Sequence, residues 1–400
     1  MSSVLNYPHL GIFIIAWFAA DLLFPLLIKA ARRLRLLDRP GGHKGQAHSI
    51  PFLGGVGIFI AFTLSVVSTL RFEEVQAFAP LMGLLLGGAV MVLLGLLDDF
   101  RPINAVIKLF TILGTTVVLA CFGITLSLFP DVMFNIPNIL LTALWIAGVT
   151  SAMNSLDNTD GVAGGTSAIA GLFIFLIAWG TNSADAQPWL SYLGIALFGG
   201  CLGFLRYNSA PAKIYLGDNG AFFLGYVLST MLVFGHYSAD PIKAILVPCL
   251  VLSVPLFDIV LATALRFRDG DVRTLREAVV YCGRDHTAHL LIALRFSKRQ
   301  AALAIYALAI CGGLTGLLVL NTPTTAIYLS ITGIYLSFLV GVGMVLGRVR
   351  QRALATKSES EMAAEQAAQQ AADAEVSTKS GSPLRRPIRH RLPRRESLEV

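Results

Sequence analysis

Charge is what this chain has least of. Only 14% of its 400 residues are Asp, Glu, Lys or Arg, against 55% apolar, and the mean hydropathy is +0.69. The length alone allows two or three soluble domains, but such domains need far more charge on their surfaces. Cysteine is scarce too. Cys121, Cys201, Cys249, Cys282 and Cys311 are scattered and no CxxC occurs, so neither a zinc site nor a disulfide framework can be read. No basic stripe interleaved with aromatics runs through the core of the chain, so the net charge of +7 is not a nucleic-acid signature. The first apolar stretch carries Asp21 and lacks a small-residue cleavage site, which makes it an anchor rather than a removable signal peptide.

What the chain has in place of charge is long apolar runs. Eleven candidate spans lie near 9–30, 53–70, 77–97, 104–124, 138–153, 163–180, 189–205, 219–235, 242–265, 301–320 and 325–347. Runs of about 18 apolar residues can cross a hydrocarbon core of about 30 Å. The fold expected is therefore all-α, a polytopic membrane bundle of ten or eleven transmembrane helices. Placing the N-terminus outside puts all but two of the 31 Lys and Arg residues on the cytoplasmic side, the exceptions being Arg71 and Lys243. The C-terminus is then cytoplasmic. Residues 1–350 form the membrane-embedded domain and 351–400 a tail. Its Ala353–Val376 stretch suits a surface helix, and its Arg-, Pro- and Ser-rich end from Ser380 to Val400 reads as disordered. A basic tail beside the inner leaflet is drawn to anionic lipid.

Sorted by side, the polar residues fall into clusters on the cytoplasmic loops. The loop from Asp38 to Gly55 holds Lys44 and His48 before a Gly54–Gly55 pair. The next holds adjacent Asp98 and Asp99, with Lys108 inside the following span. Adjacent carboxylates need a cation or a proton, and a lysine in an apolar helix needs an anionic partner. The third loop, MNSLDNTDGVAGG from Met153 to Gly165, spaces Asn154, Asp157 and Asp160 three residues apart. That spacing gathers oxygen ligands suited to Mg²⁺. It also fits a polar turn in which Gly161 reverses the chain. The fourth loop runs from Arg206 to Gly225, with Asn208, with Tyr215 suited to stacking on a base, and with Asp218 at a helix start. The fifth contains CGRDHTAH, in which Arg284, His286 and His289 suit phosphate contact better than a four-ligand zinc site. Asp258, in the preceding span, is an acid at membrane depth. Acids for a hard cation, bases for phosphates and a surrounding bilayer together point to phosphoryl transfer onto a lipid phosphate.

These motifs, over about residues 8 to 347, resemble the polyprenyl-phosphate N-acetylhexosamine-1-phosphate transferase family, in its WecA-like branch. DDF at 98–100 with Lys108 looks like the family's first acidic motif. NSLDNTDG at 154–161 resembles NxxDGxDG, with Asn158 where Gly is usual. AKIYLGDNGAFFLG at 212–225 resembles FMGDxGSLxLG, with Ala221 in place of Ser. VPLFD at 254–258 resembles VPxxD, and GRDHTAH at 283–289 resembles GRDHxSH. The resemblance implies a multi-pass protein of the bacterial inner membrane with a cytoplasmic active site. It implies transfer of an N-acetylhexosamine-1-phosphate, GlcNAc-1-phosphate first, from a UDP-sugar to undecaprenyl phosphate. UMP is released, and cell-envelope polysaccharide synthesis begins.

The resemblance also implies Mg²⁺, with Mn²⁺ as the alternative. By position, Asp98, Asp99 and Asp218 would be catalytic, and Asp218, Asp98, Asp99 and Asn154 would surround the metal. Asn154, Asp157, Asp160, Asn208 and Tyr215 would hold the nucleotide side. Lys44, Lys108, Arg284, His286 and His289 would hold phosphates or sugar. The family's loop histidine falls on Gln46 here, not on His48. The histidine-rich signature of the phospho-MurNAc-pentapeptide branch is absent, which argues against that donor. A non-catalytic lipid-phosphate scaffold is a further alternative, opposed by the intact acids. A transporter using Asp21, Lys108 and Asp258 is opposed by charges crowding one face and by the lack of an internal repeat. The sequence leaves both a monomer and a homodimer open.

Overall fold

The computed structural model describes residues 7–38, 49–69, 78–126, 128–129, 135–180, 188–235, 238, 240–274, 277–278, 281, 283 and 285–379, with side chains described up to 356. It divides into two units, Met1–Val349 and Arg350–Val400. In the first unit the order is α1 (Tyr7–Leu34), β1 (Leu37–Asp38), β2 (Ile50–Pro51), α2 (Gly54–Thr69), α3 (Phe78–Phe100), α4 (Ala105–Cys121), α5 (Ile136–Leu156), α6 (Val162–Gly180), α7 (Pro188–Asn208), α8 (Gly217–Phe234), α9 (Pro241–Val251), α10 (Ser253–Asp269), α11 (Thr287–Ala293) and α12 (Lys298–Asn321). The last helix, α13 (Thr325–Lys379), carries the final apolar stretch, and the second unit is helical as far as Lys379. Residues 380–400, read above as disordered, lie outside the described residues.

The fold is the all-α, multi-pass membrane architecture expected. Each of the eleven apolar segments falls on a helix, or in one case on two. Seven helices (α1, α3, α5, α6, α7, α12 and α13) are long and apolar enough to cross a membrane, and the α9–α10 pair counts as an eighth if taken as one span. Helices α2 and α4 are shorter apolar helices, and α8 opens on the polar residues Gly-Asp-Asn-Gly.

One difference from the expectation concerns 242–265, read as a single span. The chain bends there by 76° at the break between α9 and α10. Pro255 supplies the reason. It sits in the first turn of α10, has no N–H for the carbonyl of Val251, and its ring clashes with that carbonyl.

Helix α8 is the axis of the bundle. It packs on α2, α3, α5 and α6, and every residue from Asn219 to Val233 is buried. A helix apolar on all sides has no face for lipid or water and belongs inside. Around it, α1 lies on α2 and α7, α6 on α7, α10 on α5, and α12 on α6 and α9. The only described strands, β1 and β2, pair antiparallel as Leu37 with Pro51 and Asp38 with Ile50. Their connection, with Lys44 and His48, lies outside the described residues.

The three charges at membrane depth that suggested a transport path each have a partner in the protein. Asp21 of α1 accepts from Arg206 Nη1 at 2.7 Å and from Tyr207 Oη at 3.1 Å. Lys108 of α4 pairs with Asp98. Asp258 of α10 pairs with His286 at 2.8 Å. A carboxylate or ammonium in hydrocarbon costs several kcal/mol unless it is so paired.

Candidate active site

The site forms where α8 begins. After Leu216 the chain turns at Gly217, whose φ of +74° suits glycine. The first turn of α8 then presents Asp218 and Asn219 with free backbone N–H groups. Asp218 does not cap its own helix. Asp99, at the end of α3, does so instead: its Oδ1 accepts from Asp218 N at 3.0 Å, and its Oδ2 from Asn219 N at 3.2 Å and Asn219 Nδ2 at 2.6 Å. Both Asp99 oxygens are therefore engaged by the positive end of α8.

Asp98 is placed differently. Its Oδ1 accepts from Ile103 N at 2.7 Å, Lys108 meets its Oδ2, and its carboxyl lies within hydrogen-bond reach of that of Asp218. The Lys108 ammonium also lies 5.8 Å from the ring centre of Phe222.

Two carboxyl groups that close require a proton or a cation between them. Among the described residues no three His, Cys, Asp or Glu side chains gather into a group able to hold a metal ion. Mg²⁺ does not ask for three. It commonly takes one or two carboxylates and completes its octahedron with water and substrate phosphate. Asp98 and Asp218 fit that description.

The second wall is the turn from Asp157 to Gly161, between α5 and α6. Gly161 takes φ +82° and reverses the chain. Tyr306 Oη donates to Gly161 O at 2.6 Å, and Gly161 N donates to Asn208 Oδ1 at 2.9 Å. Asn208 Nδ2 goes to Ile214 O at 2.9 Å. Asn208, expected at the nucleotide, is thus buried with both ends of its amide spent on holding this turn against the 209–216 loop. Asp160 accepts from Ala212 N and from Lys298, each at 3.3 Å. Asp157 and Asn154 make no side-chain hydrogen bond among the described residues. Burial, together with the charges of Asp99 and Asp160, pushes the Asp157 carboxyl up to about 7. The stretch is the glycine turn that its sequence suggested, and it brings an acid toward Asp99.

The third wall is the GRDH stretch. Arg284 lies outside the described residues. His286 Nδ1 meets Asp258 Oδ2 at 2.8 Å and Ser155 Oγ at 3.4 Å, and its Nε2 meets Arg266 Nη2 at 3.2 Å. Because arginine can only donate, the network assigns the ring proton to Nδ1, pointing at Asp258. His286, expected to grip the diphosphate, therefore has both nitrogens occupied inside the protein. Asp258 Oδ1 also accepts from Thr287 N at 2.7 Å and caps α11. Arg266 holds Asp285 through two bonds, at 2.5 and 3.0 Å. His289, one turn on in α11, is partly exposed.

Tyr215 is fixed by its backbone: its N–H donates to Pro51 O at 2.7 Å, and its carbonyl accepts from Gly54 N at 3.0 Å. Arg266, a base two helical turns after Asp258 and open in sequence to pairing with it, meets Asp285 and His286 instead. Asn219 stood inside GDNG and carried no signal of its own.

Glycosyl transferase family 4 matches residues 81–236 of this chain, the stretch from α3 through α8. The chain is 27% identical over 351 residues to a probable undecaprenyl-phosphate N-acetylglucosaminyl 1-phosphate transferase of Bacillus subtilis, covering 85% of this chain and 92% of that protein. It is 28% identical over 303 residues to the decaprenyl-phosphate N-acetylglucosaminephosphotransferase of Mycobacterium tuberculosis, covering 69% of this chain and 74% of that protein. It is 30% identical over 243 residues to the phospho-N-acetylmuramoyl-pentapeptide-transferase of Heliobacterium modesticaldum, covering 55% of this chain and 72% of that protein.

Proposed function

Since this chain belongs to glycosyl transferase family 4, among the polyprenyl-phosphate sugar-1-phosphate transferases, we propose that it moves N-acetylglucosamine-1-phosphate from its UDP-sugar to undecaprenyl phosphate. The observation that carries this is the Asp98–Asp218 pair beside Lys108, held by the ends of three helices at the motif positions. In the reaction a phosphate oxygen of the lipid attacks the phosphorus that bears the sugar. The bond from that phosphorus to the UMP oxygen breaks, and UMP leaves.

Asp98, beside Lys108 and Asp218 while Asp99 caps α8, would be the acid that takes a proton from the lipid phosphate. Lys108, across from Asp98, offsets charge on the incoming phosphate. Asp157 and Asn154, whose side chains have no hydrogen bond of their own among the described residues, face the nucleotide-sugar. Asp98 and Asp218 would hold Mg²⁺, which supplies charge neutralisation on the diphosphate. The distribution of Lys and Arg supports a cytoplasmic site.

The choice of N-acetylglucosamine rests on the names of the relatives in Bacillus and Mycobacterium and on the missing histidine-rich signature. The test is UMP release by purified protein with Mg²⁺, undecaprenyl phosphate and a panel of UDP-sugars that includes UDP-MurNAc-pentapeptide. Release with UDP-N-acetylglucosamine in preference supports the reading. Release with the pentapeptide donor alone reassigns the substrate, and no release with any donor leaves a lipid-phosphate scaffold.

A further inference from the structure

Asn219 is fully buried, yet its amide makes three hydrogen bonds beside Asp218. Its Oδ1 accepts from Val56 N at 3.0 Å. Its Nδ2 donates to Phe52 O at 2.7 Å and to Asp99 Oδ2 at 2.6 Å. Two donor hydrogens and one acceptor oxygen are thereby used, tying α8 to two other stretches of chain: Phe52–Val56 at the start of α2, and the end of α3.

An aspartate in place of Asn219 would face the Phe52 carbonyl and the Asp99 carboxylate with like charge, and an alanine would take the side-chain donor from both, leaving Asp99 with backbone N–H groups alone. Only an amide satisfies all three partners. The backbone has been cleared for it. A Cβ on Gly95 would stand 2.3 Å from Asn219 Cα, and one on Gly55 would stand 2.4 Å from Asn219 Oδ1. Both distances lie far inside van der Waals contact, so α3 and α2 reach α8 here only because these positions lack side chains.

We infer that Asn219 is a positioning residue: its amide fixes Asp99 and the Phe52–Val56 turn against the first turn of α8, and so sets where Asp218 stands relative to Asp98. Asp99 belongs to the same device. Its carboxylate caps the α8 N-terminus. This inference rests on the reaction proposed above for its kinetic readout, but not for its structural one.

The test compares Asn219→Ala and Asn219→Ser, the second keeping a donor on a shorter arm, with Asp99→Asn and with the Asn219→Ala/Asp99→Asn double variant. Each is purified as the full chain and assayed per folded molecule. Misplacing a reacting group by about 1 Å costs on the order of 100-fold. Loss of a group that orients a metal ligand costs about 10–100-fold in affinity or rate. Asn219→Ala should therefore lower kcat about 10–100-fold, keep KM for the nucleotide sugar within about twofold, and raise the half-saturating Mg²⁺ concentration about tenfold. Asn219→Ser should fall between it and the parent. The double variant should lose less than the two single losses combined, since the Asn219–Asp99 contact is shared while the bonds to Phe52 and Val56 belong to Asn219 alone.

A turnover within about twofold of the parent for Asn219→Ala, or fully additive losses in the double variant, overturns the inference. Hydrogen exchange supplies the structural readout and is independent of substrate. Peptides covering Phe52–Val56 and Leu216–Gly220 should exchange about tenfold faster in Asn219→Ala. Unchanged protection there refutes the inference even if the parent protein proves inactive with every donor, whereas that inactivity by itself refutes only the proposed reaction.

Discussion

The carboxyl of Asp157 offers a perturbation whose sign and size follow from the structure. It follows the last residue of α5, makes no hydrogen bond among the described residues and faces Asp99 and Asp160. Burial first, and then those two charges, lift it from an ordinary value of 3.8 to about 7. In the unfolded chain it loses its proton near 3.8, while the folded chain keeps it until about 7. Over that interval the folded state binds more protons, so its stability falls as pH rises, and the full cost is present above 7. The difference of roughly three units, at about 1.4 kcal/mol each, comes to about 4 kcal/mol. The carboxylate keeps an exposed edge, which reduces the figure to about 2–4 kcal/mol.

Asp157→Asn removes the ionisation but not the shape. Thermal unfolding without nucleotide or divalent cation should therefore show variant and parent closer together at about pH 5 and the variant ahead by a few degrees at about pH 8. If Asp157 faces the nucleotide-sugar as proposed, the same variant should also lose transfer activity. A gap that does not change with pH, or a parent that is the more stable at about pH 8, would refute the account of Asp157 as a carboxylate held against its neighbours.

Three other perturbations follow from the same geometry. Asp218→Asn should abolish UMP release while leaving the melting temperature within a few degrees of the parent, and near-normal turnover would remove Asp218 from the metal assignment. Arg266→Leu leaves the buried Asp285 carboxylate without its two bonds and should cost about 3–5 kcal/mol in unfolding experiments, whereas the Arg266→Leu/Asp285→Leu double variant should cost clearly less. Gly95→Ala drives a methyl into the Asn219 backbone at 2.3 Å and should destabilise by about 1–3 kcal/mol or more, with activity falling in parallel, while Gly114→Ala, which meets nothing within 4 Å, should change neither.

Much of the fold was legible because lipid imposes a coarse rule. Apolar length alone located the eleven segments, and each falls on helix. The bend at Leu252 was not read, although Pro255 was in plain view, because proline in a membrane helix kinks, breaks or is tolerated depending on its neighbours. The chemistry-bearing residues were legible as types on particular loops. Their division of labour was not. Asp98 and Asp99 are adjacent in sequence and so point to different sides of the same helix end. One meets Lys108 and Asp218, while the other caps α8. Asn208 and His286 look like ligand contacts in sequence, but each has its polar atoms spent within the protein. A motif shows that a polar group is needed and leaves open which partner it meets.

The sequence by itself determined that this is an all-α multi-pass membrane protein with its acids and bases gathered on a few loops. The physical reason is that apolar length and charge segregation act locally and are written one residue at a time. Only the tertiary structure decided that α8 is the buried axis and that its first turn is where three stretches meet. Only there do Asp98 and Asp218 approach while Asp99, Asn219 and His286 are drawn into holding the frame. Those outcomes depend on which hydrogen-bond partners lie within about 3 Å, and they join residues as far apart in the chain as Asp99 and Asp218, or Phe52 and Asn219.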